Sequence, residues 1–217
     1  MTTRRPASSL LTIARRLTRR QMMARVAASL AGVALWRVKA AGQQLPPGVG
    51  VAATPPCDPS TKPTPSRNPA GFRSNAPLRT TLTEPGDRGQ VLVLTGTVIG
   101  LRCGLIAGAT VDVWQADANG VIDASGLRLR GRQRTDAEGR YHVETIVPGA
   151  VAGQAPRVNL RVTVPGKAVL NTILFIPDGV AGAANKRDPS FDPLLAMTLI
   201  DRTSARLTTA FNVILDL

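Results

Sequence analysis

The sequence predicts an all-β protein, an antiparallel β-sandwich over residues 89–217, behind a proline-rich lead (43–88) and an N-terminal signal segment (1–42). Three observations carry this. Short runs rich in β-branched residues recur after Gly89, turn residues separate them, and no later segment sustains a 3.6-residue period.

Residues 1–42 carry nine basic groups and no acidic one. Thr18-Arg19-Arg20-Gln21-Met22-Met23 has the order of a twin-arginine export motif, and Val26–Trp36 is an uncharged run of eleven residues. That run is too short for a membrane span but suits a signal core, and Lys39-Ala40-Ala41-Gly42 offers small residues for cleavage. A mitochondrial presequence or an uncleaved anchor would also lack acids; the order of the motif favours export to a periplasmic or extracellular location, with no stable membrane span once the signal is removed. The lead holds ten of the chain's 17 prolines between Pro46 and Pro85, a density that blocks regular helix or sheet. In an oxidising compartment Cys57 and Cys103 could close one disulfide that ties this lead to the sandwich.

Strands are expected at 89–98, 109–116, 140–146, 157–164, 170–176, 194–200 and 207–217. The clearest is 157–164, where Val158, Leu160, Val162 and Val164 alternate with Arg157, Asn159, Arg161 and Thr163. Thr135–Tyr141 reads as a hairpin turn with Gly139 at positive φ. Asp117–Asp123 reads as an Asx-type turn; it has oxygen donors around a glycine but lacks the closing bidentate Glu of a calcium loop.

The formal charge of +13 does not indicate a nucleic-acid protein. Without residues 1–42 the chain keeps 18 basic against 14 acidic residues, one Tyr, and no basic stripe interleaved with aromatics. There is no G-x-S-x-G elbow, no nucleophile with a plausible histidine base, and no phosphate-cradling glycine loop.

Taken in order, GATVDVWQADANGVID (108–123), LRGRQRTDAEGRYHVETIVPG (129–149), the 157–164 strand, VLNTILFIPD (169–178) and RDPSFDPLLAM (187–197) resemble the intradiol ring-cleavage dioxygenases, most closely their exported, twin-arginine-signal branch. The resemblance covers nearly all of residues 89–217. It implies a β-sandwich that uses non-haem ferric iron to open catechol-type rings. It also implies an iron held by two tyrosines and two histidines. The positions matching those ligands are Ile122, Val151, Arg157 and Asn159. The family's charge-steadying Arg falls at Gln154, and a common Gln of the next strand falls at Ile173. No cofactor is therefore expected, although the family uses Fe(III).

Elementary chemistry gives the same answer. Ferric iron wants anionic oxygen supported by imidazole. The chain has one Tyr and one His, Tyr141 and His142, whose side chains should point to opposite faces of a strand. Arg157 adds a charge that cannot be removed by deprotonation, and at about 4 Å even unit-charge repulsion is on the order of several kcal/mol. As an ordinary strand residue Arg157 would pair with a carboxylate such as Asp123 or Glu144. Alternatively, Arg157, Asn159 and Gln154 form a polar pocket that accepts an anion.

Two functions follow. One is a non-catalytic binding or structural β-sandwich, whose partner is a small aromatic or carboxylated ligand. The other is an active non-haem iron dioxygenase that cleaves catechol-type aromatics through an atypical metal site, with ligands supplied by a partner chain. The resemblance leaves a homo-oligomer open.

Overall fold

The computed structural model of the chain describes residues 61–167 and 169–217. The signal segment, Cys57 and the first part of the lead lie outside the described residues. The described residues form nine strands in two sheets. One sheet has the order β4-β1-β8-β7, from Arg140–Ile146, Val91–Gly100, Arg206–Ala210 and Thr198–Arg202, with β9 (Val213–Leu215) also on β1. The other has the order β3-β2-β5-β6, from Arg130–Arg134, Thr110–Gln115, Arg157–Thr163 and Leu170–Phe175. A short helix α1 (Asp178–Asn185) and a 3-10 turn (Pro193–Leu195) connect β6 to β7. The all-β sandwich is the fold class expected; the parallel pairings β1–β8 and β1–β9 join an otherwise antiparallel framework.

Period-two patterning builds the core. Leu92 and Leu94 of β1, Val111 and Val113 of β2, Tyr141 and Val143 of β4, and Val158, Leu160 and Val162 of β5 are buried in one cluster between the sheets. Tyr141 is 1% exposed, and its hydroxyl donates to the Phe211 carbonyl at 2.7 Å. Burial pushes this phenol well above its ordinary pKa of about 10. The neutral ring thus contributes stability that is complete below pH 10 and is lost as the pH rises beyond it. Because the chain has a single tyrosine, alkaline absorbance titration reads this ring alone. The folded protein should show no phenolate signal at pH 11, and the signal should arrive together with unfolding. A reversible native-state titration near pH 10 would contradict the burial.

Several local expectations are corrected. The 207–217 run is two strands, because the chain breaks at Phe211–Asn212 and leans onto β1. The Phe211 N–H donates to the Thr95 carbonyl at 2.9 Å, and the Thr97 N–H donates to Asn212 Oδ1 at 2.9 Å. The 194–200 run is a 3-10 turn followed by β7. Strand β3 went unpredicted because its inward residues are Gly131 and Gln133, with no apolar alternation. The turn at 135–139 is tight, with Gly139 at φ 72° and its N–H on the Asp136 carbonyl at 3.0 Å. It does not make a hairpin, however, since among the described strands β3 pairs with β2 and β4 with β1, and the two do not pair with each other. It is a corner between sheets. The Gln133 amide spans that corner, donating to the His142 carbonyl at 2.6 Å and accepting the His142 N–H at 3.1 Å.

Residues 61–88 run along sheet edges. Arg67 N–H donates to the Asn171 carbonyl of β6 at 2.7 Å, Leu78 bridges Arg132 of β3, and Thr81 bridges Glu144 of β4. Prolines suit such a path, since few of its amides have a partner to lose. Cys103 is disulfide-bonded; the expected partner, Cys57, lies outside the described residues.

Candidate functional site

Alternation on β5 sends Val158, Leu160 and Val162 into the core and leaves Arg157 and Asn159 on the outer face of the sheet. Register fixes their neighbours. Asn159 lies between Trp114 of β2 and Ile173 of β6, and Arg157 lies opposite Phe175. This outer face is the floor of a cavity of about 480 Å³. All six positions singled out by sequence, Ile122, Val151, Gln154, Arg157, Asn159 and Ile173, line it.

Two loops bring the distant members together. Asp117 Oδ1 accepts the Asn119 and Val121 N–H groups, both at 2.9 Å, in the expected Asx turn, which delivers Ile122 to the rim. Gly120 in that turn has φ 79°, and a Cβ there would lie 2.1 Å from the Ala150 carbonyl oxygen. The glycine lets the 150–154 turn approach, placing Val151 and Gln154 beside Ile122. The Gln154 N–H closes that turn on the Val151 carbonyl at 2.7 Å. The opposite wall, residues 67–70, was not foreseen. It is fastened by the Trp114 indole N–H donating to the Ala70 carbonyl at 2.9 Å.

Arg157 does pair with a carboxylate, but not with Asp123 or Glu144. Asp123 accepts N–H groups of Ser125, Gly126 and Arg128 in its own loop, and Glu144 meets Arg206 at 3.1 Å. The partner is Asp188, whose Oδ2 is 3.4 Å from Arg157 Nη2; their side chains are 2% and 13% exposed respectively. Asp188 is itself saturated. Its Oδ2 accepts the Ala155 N–H at 2.7 Å, and its Oδ1 accepts the Ser190 N–H at 2.8 Å and hydroxyl at 2.6 Å. Burial alone would raise this carboxyl; the Ser190 hydroxyl, the two backbone donors and the Arg157 charge together hold it below its ordinary value. Desolvation pulls the Arg157 pKa down and Asp188 pushes it back up. Arg157 Nη1 is 3.3 Å from Ser190 Oγ, and the guanidinium sits 5.7 Å from the Phe175 ring centroid.

Nothing in the pattern of the sequence marked Asp188. It lies 31 residues from Arg157 in a loop, and only its place in an Asp-Pro-Ser turn hinted at a local cap.

The donor set does not suit the ferric ion that the fold implies. Among the described residues the lining contains no Asp, Glu, His, Tyr or Cys side chain, whereas Fe(III) requires anionic oxygen. Among the described residues no group of three His, Cys, Asp or Glu is placed to hold a metal. Tyr141 is committed to the core, and His142, on the other face of β4, has its pKa lowered chiefly by burial, which outweighs Glu144 and is reinforced by Arg206. A larger groove of about 700 Å³ runs between residues 61–65 and β7–β9; it contains none of the six positions.

Comparison with known proteins agrees with this fold. A dioxygenase family model (Dioxygenase_C) matches residues 66–160. The dioxygenase domain of a dioxygenase–carbohydrate-binding protein fusion from Streptomyces sp. SirexAA-E superposes with a TM-score of 0.67 at 33% identity, covering 72% of this chain and 99% of that one. An intradiol ring-cleavage dioxygenase from Tetranychus urticae gives a TM-score of 0.66 at 19% identity over 72% of this chain and 95% of its own, a likeness of fold. A 6-chlorohydroxyquinol 1,2-dioxygenase from Cupriavidus pinatubonensis is 39% identical over 70 residues, 30% of this chain. A catechol 1,2-dioxygenase from Acinetobacter lwoffii is 40% identical over 72 residues, 31% of this chain. These matches span about a quarter of each curated relative. With sandwich, family model and the near-complete Streptomyces domain in agreement, this chain belongs to the intradiol ring-cleavage dioxygenase family.

Proposed function

We propose that this chain is an exported, non-catalytic member of its family, a binding protein built on the dioxygenase sandwich. One observation carries the reading: the cavity on the outer face of β2, β5 and β6 is lined by Arg157, Asn159, Ile122 and Val151, where the resemblance expects iron ligands, and its described residues offer no anionic donor. The export part rests on the Thr18–Met23 motif and the apolar run behind it.

The test is metal analysis of the purified mature protein from iron-replete cells, with oxygen uptake measured on catechol. Less than about one tenth of an equivalent of iron and no oxygen uptake are expected. Near-stoichiometric iron with ring cleavage would overturn the reading in favour of an active enzyme with an atypical site. The sequence identity to the Streptomyces dioxygenase domain keeps that second reading in view. A precursor that stays cytoplasmic and unprocessed when its twin Arg19-Arg20 is intact would overturn the export part.

A further inference from the structure

We infer that the outer face of β3, β2 and β5 is a docking surface for an acidic polysaccharide, a chain of uronate sugars being the simplest case. It stands apart from the cavity and from the non-catalytic reading above, since none of its residues lines that cavity.

Register assembles the surface. Arg132, Asp112, Arg161 and Asn171 form one row across β3, β2, β5 and β6, and Arg134, Thr110 and Thr163 form the next. Alternation turns both rows outward, because Val111, Val113, Leu160 and Val162 of the same strands fill the core. Residues 70–72 cross the sheet between these rows and the cavity. The Ala70 carbonyl accepts the Trp114 indole N–H, the Gly71 carbonyl accepts from the Arg130 guanidinium, and the Phe72 ring lies against Arg161.

Pairing leaves this surface positive. Its arginines share a single carboxylate, Asp112, which is 3% exposed and meets Arg132 at 2.6 Å. Arg134 is exposed and Arg161 half-buried, and neither has a carboxylate partner among the described residues. Lys167 adds an exposed cation in the turn after β5. Such a face repels a second copy of itself and attracts a polyanion.

Geometry selects among polyanions. Arg132 and Arg161 stand on either side of β2, their backbones about 10 Å apart, the scale of neighbouring sugars in an extended chain. Both guanidiniums are held before a ligand arrives, Arg132 by Asp112, and Arg161 by the Phe72 ring, 4.3 Å from its centroid, and Asn171 Oδ1 at 3.5 Å. The hollow beside Phe72 and Asp112 has no room for a water molecule. The patch therefore encloses no small acid, and affinity must come from repeated contacts along a chain. Beside the cations lie the Thr110 and Thr163 hydroxyls and the Asn171 amide, which serve sugar hydroxyls rather than lipid tails. The exposed Leu78 stands at the β3 margin of the row, not among the cations. Nucleic-acid bases find no stacking platform, since Trp114 is buried and Phe72 is taken by Arg161.

The experiment is calorimetric titration of the full mature protein with polygalacturonate, its neutral methyl ester, and dextran. Polygalacturonate should bind, with the methyl ester and dextran at least about tenfold weaker, and its affinity should fall several-fold between about 50 and 200 mM salt. Arg134→Gln, at an exposed and unpaired side chain, should weaken binding about threefold, and Arg134→Gln combined with Arg161→Gln at least about tenfold. Lys186→Gln, which removes a charge just past α1, should leave the affinity unchanged. If the double variant does not fold, Arg134→Gln decides. Equal affinity for polygalacturonate and its methyl ester, no binding of polygalacturonate at about 50 mM salt, or equal losses in Arg134→Gln and Lys186→Gln would each overturn the assignment. Tighter binding to phosphatidylglycerol vesicles or to duplex DNA, weakened by Arg134→Gln, would give the face to a different polyanion and overturn it as well.

Discussion

Asp188→Ala should destabilise the protein by about 3–5 kcal/mol, the usual cost of removing one partner of a buried ion pair. The reasoning follows from what the carboxylate holds. Its side chain is 2% exposed, and it serves the Ala155 N–H, the Ser190 N–H, the Ser190 hydroxyl and Arg157 at once. Alanine would leave a mostly buried guanidinium without its counter-charge and take the acceptor from the buried Ala155 donor. For a domain of this size the loss corresponds to a drop of roughly 10 °C in melting temperature. Asp188→Asn keeps one acceptor oxygen and should cost about half as much, since it forfeits the charge but not every hydrogen bond. Thermal melts of both variants beside the parent check this. A melting temperature for Asp188→Ala within 2 °C of the parent would mean that the loop does not depend on the pair.

Gly96→Ala should be equally damaging, costing about 4 kcal/mol or preventing folding, because the methyl group has nowhere to go. A Cβ at Gly96 would lie 1.8 Å from the Phe211 carbonyl oxygen and 2.8 Å from the Tyr141 ring. That carbonyl accepts the Tyr141 hydroxyl, and the adjacent Phe211 N–H is bonded to Thr95. The residue therefore sits where the break between β8 and β9 presses on β1, and any side chain would pry the crossing apart. Gly104 provides the control: a Cβ there meets nothing within 4 Å, so Gly104→Ala should stay within about 0.5 kcal/mol. Urea denaturation of the pair separates the effect of the contact from a general loss of glycine.

The strands with an apolar inner side were legible because burial of one face imposes a period of two on the chain. The 157–164 run was the plainest, and two of its outward residues, Arg157 and Asn159, do face a cavity. Strand β3 was not legible. Its inner positions are Gly131 and Gln133, and Gln133 acts by bridging to the backbone of His142, a role that leaves no hydrophobic trace. The corner at 135–139 has the residues of a hairpin; what sends its two strands into different sheets is pairing with β2 and β1, set far away in sequence. At the site, the resemblance named six of the lining positions, whereas Asp188 and the 67–70 wall came only from the structure. Spacing reports what lies within a turn or two of the chain. It says nothing about a carboxylate 31 residues away or a strap from the far side of the sandwich.

That strap has a consequence for where the protein can be cut. Between Thr64 and Leu82 it gives backbone partners to β9, β6, β3 and β4 in succession. Each of those contacts covers a rim of hydrogen-bonding groups that would otherwise template association with a second molecule. A recombinant fragment begun at Gly89, where the first strand's sequence starts, would contain every strand yet expose several of these rims and lose one wall of the cavity. The unit with its sheet rims covered therefore begins upstream of its first strand, and the prolines that disqualify residues 61–88 from being sheet are what allow them to serve as its selvage.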